Sequence, residues 1–225
     1  MDIDVMVADE SHDIYVDTIL ETINAAAKVR GSGIAKRTHE YVSQKMKEGK
    51  AIIALTEDKK MAGFCYIESW GNKTYVANSG LIVAKEYRGN GLAKRIKKAA
   101  FLLSRLRWPK AKLFGLTSGA AVMKINTELG YLPVTFDQLT DDDAFWHGCE
   151  GCVNHDVLLR TNRRYCICTA MLFDPDKING KKVRTPSEVT NDLAHELGVP
   201  TPINLVQDED GENQMTELNK KAEKA

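Results

Sequence analysis

The residues best placed to do chemistry lie between Leu81 and Ile96. There the run Leu81-Ile82-Val83-Ala84 ends at Lys85-Glu86-Tyr87-Arg88-Gly89-Asn90-Gly91, and Leu92-Ala93-Lys94-Arg95-Ile96 follows at helical spacing. An apolar strand, a basic glycine-rich turn and a helix start, in that order, make an anion-binding device. Gly89 and Gly91 let the main chain approach a ligand closely. The unpaired N–H groups of the new helix point at whatever sits there, and the helix dipole favours negative charge. Arg88 adds a planar, permanently charged fork suited to phosphate. The chemistry implied is the grip of a pyrophosphate-bearing cofactor. No Gly-Lys-Ser/Thr follows, so this is not a P-loop, and no third glycine completes a dinucleotide fingerprint.

A second group has metal-ligand spacing. Cys149-x-x-Cys152, then thirteen residues, then Cys166-x-Cys168 gives two close thiol pairs separated by a loop. Four thiolates so paired can form a tetrahedral zinc site, with His147 and His155 as substitutes. Reduced, half-buried thiols are the other reading, because free cysteine behaves as a small hydrophobe. A four-cysteine site is closed to substrate, so zinc there would be structural. Cys65, alone on an apolar run, reads as packing.

The chain around these groups has 225 residues, of which 43% are hydrophobic and 28% charged, as in an ordinary soluble globular protein. Its 31 basic residues are balanced by 31 acidic ones, so neither nucleic acid nor an anionic membrane surface is expected as a partner. No apolar run reaches bilayer length, and the start Met1-Asp2-Ile3-Asp4-Val5 lacks the basic and apolar parts of a secretory signal. A cytoplasmic location is the expectation. Five cysteines, four of them clustered, argue against a disulfide framework.

Hydrophobic periodicity and turn residues place the elements that must position these groups. A strand is expected over residues 3–8, and a helix over 13–28 stops at Arg30-Gly31-Ser32-Gly33. Thr38 reads as the N-cap of a second helix reaching about Lys47. Strands follow at 51–56, 62–69 and 74–83, with a hairpin turn at Gly71-Asn72. The helix over 92–106 carries the stripe Leu92, Ile96, Ala99, Ala100, Leu103 and Leu106, with Lys94, Arg95, Lys97 and Lys98 on an expected solvated face. A strand at 112–117, a helix at 119–128 and a return strand from Gly130-Tyr131 complete this part. Beyond it come the cysteine-rich stretch, a capped helix at 187–197 and, from Gln207, a polar tail expected to fray.

Arg88-Gly89-Asn90-Gly91-Leu92-Ala93, behind its apolar strand, resembles the acyl-CoA-binding signature Arg/Gln-x-x-Gly-x-Gly/Ala of the GNAT superfamily of N-acetyltransferases. The order β-α-α-β-β-β-α-β-α-β from Ile3 to about Thr135 resembles that fold element by element. The resemblance implies an α/β fold with a mixed, mostly antiparallel sheet flanked by helices and a small Cys-rich C-terminal appendage. With it, the change of texture beyond Asp137 gives expected divisions of a GNAT acetyltransferase core at 1–136, the Cys-rich appendage at 137–175, and a short helix with a flexible polar tail at 176–225. The resemblance implies acetyl-CoA as co-substrate. Leu81, Ile82 and Val83 would offer main-chain hydrogen bonds to the pantetheine arm, and Arg88, Gly89, Asn90, Gly91, Leu92 and Ala93 would wrap the pyrophosphate. The family splays two central strands where the thioester sits, so the N–H of Ile82 or Leu81 is expected to polarise the acyl carbonyl.

Transfer to an amine needs a base for the ammonium proton and an acid for the leaving thiolate. The family's strand glutamate has no counterpart over 74–83, where Asn78 and Ser79 are the polar residues. Glu68 on the preceding strand is the nearest carboxylate, with Tyr66 and His39 as alternatives. The family's helix tyrosine, ahead of Leu129-Gly130-Tyr131, is replaced here by Asn126. Another tyrosine, a water or unassisted departure of the thiolate must then serve.

Gly33-Ile34-Ala35-Lys36-Arg37-Thr38 resembles the entry to the acetyltransferase domain of amino-acid N-acetyltransferases, N-acetylglutamate synthases among them. There an arginine is set for a substrate carboxylate, which implies that Arg37, with Lys36, binds the acceptor. A surface residue at a helix start is the plainer reading of Arg37. The implied activity is transfer of an acetyl group from acetyl-CoA to a primary amine, with a small carboxylated amine such as glutamate leading. A protein or peptide acceptor, a non-catalytic acyl-CoA-binding module, succinyl-CoA as donor and a homodimer all stay open.

Overall fold

Apolar residues alternating along short runs build the sheet. The computed structural model describes residues 2–30, 37–177, 184–201, 203, 205–207 and 211–215. Among them β1 (Ile3–Val7) pairs antiparallel with β2 (Ala51–Thr56), β2 with β3 (Met61–Trp70), and β3 with β4 (Tyr75–Val83). β4 runs parallel to β5 (Lys112–Thr117), which is antiparallel to β7 (Thr169–Phe173), itself paired with β6 (Leu132–Val134). The sheet order β1-β2-β3-β4-β5-β7-β6 is the expected mixed, mostly antiparallel arrangement.

All six residues of β2 are buried, because helices cover both faces. On one face α1 (Val16–Arg30) and α2 (His39–Lys47) pack Val16, Ile19, Val42 and Met46 on Ile53, Phe64 and Tyr66. On the other, Ile96, Ala100 and Leu103 of α3 (Leu92–Arg107) meet Ile52, Cys65 and Ile67. Two-residue alternation along β2 and β3 sorts side chains between the two cores. The side chain of Thr38 caps α2 by accepting from the Tyr41 N–H at 3.2 Å, as its position suggested. Residues 10–15, of which 13–15 were expected within the first helix, form a separate 3-10 turn capped by Asp9.

The stretch expected as an appendage supplies a strand to the interior of the sheet, since β7 lies between β5 and β6. α4 (Ala120–Glu128) precedes β6. α5 (Asp143–His147) and α6 (His155–Arg160) bring Trp146 and Leu158 onto Phe114, Phe136 and Ala170 in a third apolar cluster. This half of the sheet therefore does not close at residue 136. α7 (Pro186–Leu197), opened by a Thr185/Glu188 capping box with Pro186 behind it, docks Leu193 and Leu197 in the α3 core.

Within the stretch from Gln207 expected to fray, β9 (Asn213–Met215) pairs with β8 (Leu205–Gln207) in a hairpin, while residues 208–210 and 216–225 lie outside the described residues. Glu212 beside it is buried and bonds Arg107 Nη2 at 2.8 Å, so a charge on α3 holds the segment down. Polar composition alone hid that pairing. Among the described residues no helix is long and apolar enough to cross a membrane. Gly31, Gly33 and Lys36 lie outside the described residues.

Candidate active site

The parallel ladder between β4 and β5 has three rungs, Tyr75 with Lys112, Val76 with Leu113 and Ala77 with Phe114. Beyond Ala77 the strands diverge, while β5 stays paired with β7 as far as Thr117. The cause lies on the other edge of β4. Phe64 pairs with Ile82 and Tyr66 with Ser79, so Gly80 and Leu81 together oppose Cys65 in a bulge, which bends the strand. Gly80 sits at φ +67°, and a Cβ there would lie 2.7 Å from the Tyr66 ring. No other residue fits without displacing that ring.

The ladder also fixes which amides face the gap. The Ala84 N–H donates to the Ala62 carbonyl at 2.9 Å, and alternate residues of an antiparallel strand point the same way. Ile82 therefore turns its N–H toward Phe64, which corrects its expected role beside the acyl carbonyl. Leu81, inside the bulge, is the remaining amide. Val83 faces the gap and its carbonyl accepts from Arg88 Nε at 2.9 Å, so part of the Arg88 fork anchors the turn.

At that turn Gly91, with φ +76°, is the N-cap of α3 and supplies no side-chain cap to the first N–H groups. Lys94 and Arg95 bond back to the Gly91 carbonyl, leaving the amides of Leu92 and Ala93 at the open end. No atom lies within 4 Å of a Cβ built on Gly89 or Gly91, so the approach is clear. Leu92 itself is a core residue, 3% exposed, and only its main chain faces the turn. A cavity of about 340 Å³ adjoins the turn between α1 and Lys85, Glu86 and Arg88.

A larger cavity, about 440 Å³, occupies the gap between the splayed strands. On its α2 side stand Tyr66, Glu68 and Ser79, with Arg37 and Tyr41 above them. Arg37 Nε donates to the Tyr66 hydroxyl, and the guanidinium lies 5.6 and 5.5 Å from the Tyr41 and Tyr66 ring centres. Burial pushes the Tyr66 hydroxyl above its ordinary pKa, against the pull of Arg37. Burial raises Tyr41 as well. Glu68 reaches the wall already engaged. Its Oε2 bonds Lys45, and its Oε1 accepts the Ser69 N–H at 3.0 Å with Lys50 at 3.6 Å. His39 turns away to Asp17, 3.8 Å distant, and is not on the cavity wall.

Asn78 faces the opposite side, toward α3. Its Oδ1 accepts from Lys97 Nζ at 3.2 Å and from the Tyr131 hydroxyl at 2.9 Å, and its Nδ2 donates to Ser104 Oγ at 2.9 Å. So committed, Asn78 is a positioning residue, which corrects its place among the catalytic candidates. Lys97 was expected on the solvated face of α3 but is 2% exposed and lines the cavity. Burial pulls its pKa down to about 8, slightly offset by Cys65. Ser104, one stripe position along at i+7, was the available signal. Asn126 also lines the cavity, and its buried Oδ1 has no hydrogen-bond partner.

Cys149, Cys152, Cys166 and Cys168 all line this same cavity. The Asn154 N–H donates to Cys152 Sγ at 3.4 Å. Burial and the neighbouring thiols push Cys149 up to about 11 and Cys168 up to about 12. Among the described residues no three His, Cys, Asp or Glu side chains are set to hold a metal ion. Cys65 is buried between β3 and α3, as packing predicts.

A strand pair splayed over an open, glycine-capped helix start is an architecture similar to that of acetyltransferases. Residues 36–107 match the model of the acetyltransferase (GNAT) family. No curated protein matches the chain. Similar solved structures include N-acetylglutamate synthase from Neisseria gonorrhoeae, complexed with coenzyme A and N-acetyl-glutamate, at TM-score 0.55 and 15% identity over 77% of this chain. The match spans only 35% of that longer protein. YncA from Salmonella typhimurium, solved with acetyl-CoA, superposes at 0.53 with 14% identity over 82% of this chain and 100% of its own. A GNAT phosphinothricin acetyltransferase from Sinorhizobium meliloti gives 0.51 with 14% identity, covering 82% of this chain and 94% of its own. At such identities the likeness is one of fold.

Proposed function

We propose that this acetyltransferase moves the acetyl group of acetyl-CoA to the amine of a small carboxylated acceptor, with an acidic amino acid such as glutamate leading. The observation that carries the reading is the gap opened beyond Ala77 and Phe114, a cavity lined by Leu81 of β4 and Lys97 of α3 that reaches the wall holding Arg37. The N–H groups over 89–93 hold the pyrophosphate, assisted by Arg88. The main chain of β4, Val83 first, takes the pantetheine arm as an added strand along its free edge. From Val83 back to Asn78 is about 17 Å of strand, comparable to that arm when extended. Acetyl-CoA supplies an activated acyl group. The Leu81 N–H polarises its carbonyl.

Arg37 clamps the acceptor carboxylate, oriented by Tyr66. Glu68, on the same side of the cavity, receives the ammonium proton directly or through a water. The acceptor nitrogen then bonds the acyl carbon as the carbon–sulfur bond breaks. The fold is shared with an N-acetylglutamate synthase solved with N-acetyl-glutamate, which supports an amino-acid acceptor. Thiol release from acetyl-CoA across a panel of amino acids tests the reading. Release with acidic amino acids is expected. Cofactor binding without release for any amine would instead mark a non-catalytic binding module.

We also propose that the four cavity cysteines draw together around one structural zinc, supported by their shared wall and by the Asn154 N–H on Cys152. Elemental analysis should find about one zinc per chain. A stoichiometry near zero rejects it.

A further inference from the structure

We propose that Lys97 is the acid that protonates the departing thiolate, an inference that rests on the acetyl-transfer reading above. Asn78 is the first residue past the last rung between β4 and β5, and Lys97 Nζ lies 3.2 Å from its Oδ1. The ammonium is thereby held at the apex of the gap, where the pantetheine arm ends when laid along β4. Tyr131 bonds the same oxygen at 2.9 Å but is not on the cavity wall. Asn126 is on the wall, yet a carboxamide releases no proton; its unpartnered Oδ1 is fit only to accept one, such as the S–H of the product. Tyr41, Tyr66 and Glu68 stand on the opposite, acceptor side.

The surroundings of Lys97 suit an acid. It packs the Cys65 thiol from β3, the Asn78 amide from β4 and the Tyr131 ring, whose centre is 5.4 Å from Nζ. Among the described residues no carboxylate pairs with it. Burial without a counter-ion favours the neutral amine and brings its pKa to about 8. That is close to a free thiol at about 8.5, so proton transfer to the thiolate is nearly balanced, where an ordinary lysine at about 10.4 would hold its proton more firmly.

The step balances. As the acceptor nitrogen bonds the acyl carbon, the carbon–sulfur electron pair stays on sulfur, and one Nζ–H passes to it. Lys97 is left as a neutral amine and is reprotonated from solvent through the cavity. The acceptor ammonium loses two protons in becoming an amide, one replacing that given by Lys97 and one released to solvent.

The test compares wild type with Lys97→Met, a change of similar volume, using acetyl-CoA and S-acetyl-4-nitrothiophenol, whose thiolate leaves without a proton. With acetyl-CoA the variant should lose about 10²- to 10³-fold in kcat. Its affinity for CoA by calorimetry and its rate with the aryl thioester should stay within about twofold of wild type, as expected for removal of an acid alone. Full kcat with acetyl-CoA, or equal loss with both donors, overturns the proposal while leaving acetyl transfer intact. Should the variant not fold, wild type alone decides. Its kcat with acetyl-CoA should fall as pH rises through about 8, and a rate level or rising to pH 9.5 contradicts the assignment. No thiol release by wild type with any amine would instead defeat the underlying acetyl-transfer reading.

Discussion

Ala77 opposite Phe114 is the last rung of the parallel ladder, and the candidate active site begins where that pairing ends. The bend that ends it depends on Gly80, whose φ of +67° and contact with the Tyr66 ring exclude a side chain. Gly80→Ala should lower unfolding free energy by about 1–3 kcal/mol. It should also reduce acetyl transfer, because the bulge can form only by displacing Tyr66. Urea unfolding and thiol release measured together check this. Wild-type values in both would show that the bulge is not needed.

Arg37 is held by the Tyr66 hydroxyl and by two aromatic faces at the cavity wall. Arg37→Ala should raise the acceptor KM about 10- to 100-fold, the worth of a charge-assisted pair, and leave CoA affinity unchanged. Steady-state kinetics with acceptor varied at saturating acetyl-CoA makes the measurement. An unchanged acceptor KM would remove the carboxylate clamp from the account.

Lys97 also leaves a mark on stability. Its folded pKa of about 8 lies below the ordinary 10.5, so the unfolded chain binds a proton that the fold gives up between those values. Stability therefore rises with pH from about 8 to 10.5, by an amount on the order of 3 kcal/mol at most. Lys97→Met should lack this rise. Thermal unfolding of both proteins at pH 7.5 and about pH 10 is the comparison, and parallel shifts would mean that Lys97 titrates normally in the fold.

Glu212 and Arg107 form a buried pair 2.8 Å apart. Burial works to raise the Glu212 pKa, but the hydrogen bond and charge of Arg107 and the contact with Lys73 outweigh it and hold it below 4.5. The pair is thus fully stabilising above about pH 4.5, and its contribution is lost as pH falls through the depressed value. Glu212→Gln should cost about 3–5 kcal/mol at neutral pH, because it strands the Arg107 charge. Denaturant midpoints at pH 7 and pH 3.5 give the check, and a variant as stable as wild type at pH 7 contradicts it.

Much of this was legible in the chain. The turn at Gly89 and Gly91 and the strands around it follow from local period and breaker residues, and their structure agrees with that reading. What the sequence hid depends on contacts between distant residues. β7 lies between β5 and β6 because of pairing that no local pattern encodes. Lys97 looked solvated by its neighbours Lys94 and Lys98, both of which do form ion pairs, with Glu128 and Glu196. Its burial is decided by Asn78, nineteen residues away. Ile82 lost its expected role to the direction of one ladder bond, a detail below the resolution of any sequence motif.

The central claim is that main-chain amides at the Gly89–Gly91 turn hold the pyrophosphate of CoA. Calorimetric titration of acetyl-CoA into wild type and Arg88→Ala tests it most directly. The account predicts one saturable site per chain, competed by inorganic pyrophosphate and weakened about tenfold by the substitution. Absence of binding heat across the temperatures tried, or binding that pyrophosphate and Arg88→Ala leave untouched, would contradict it.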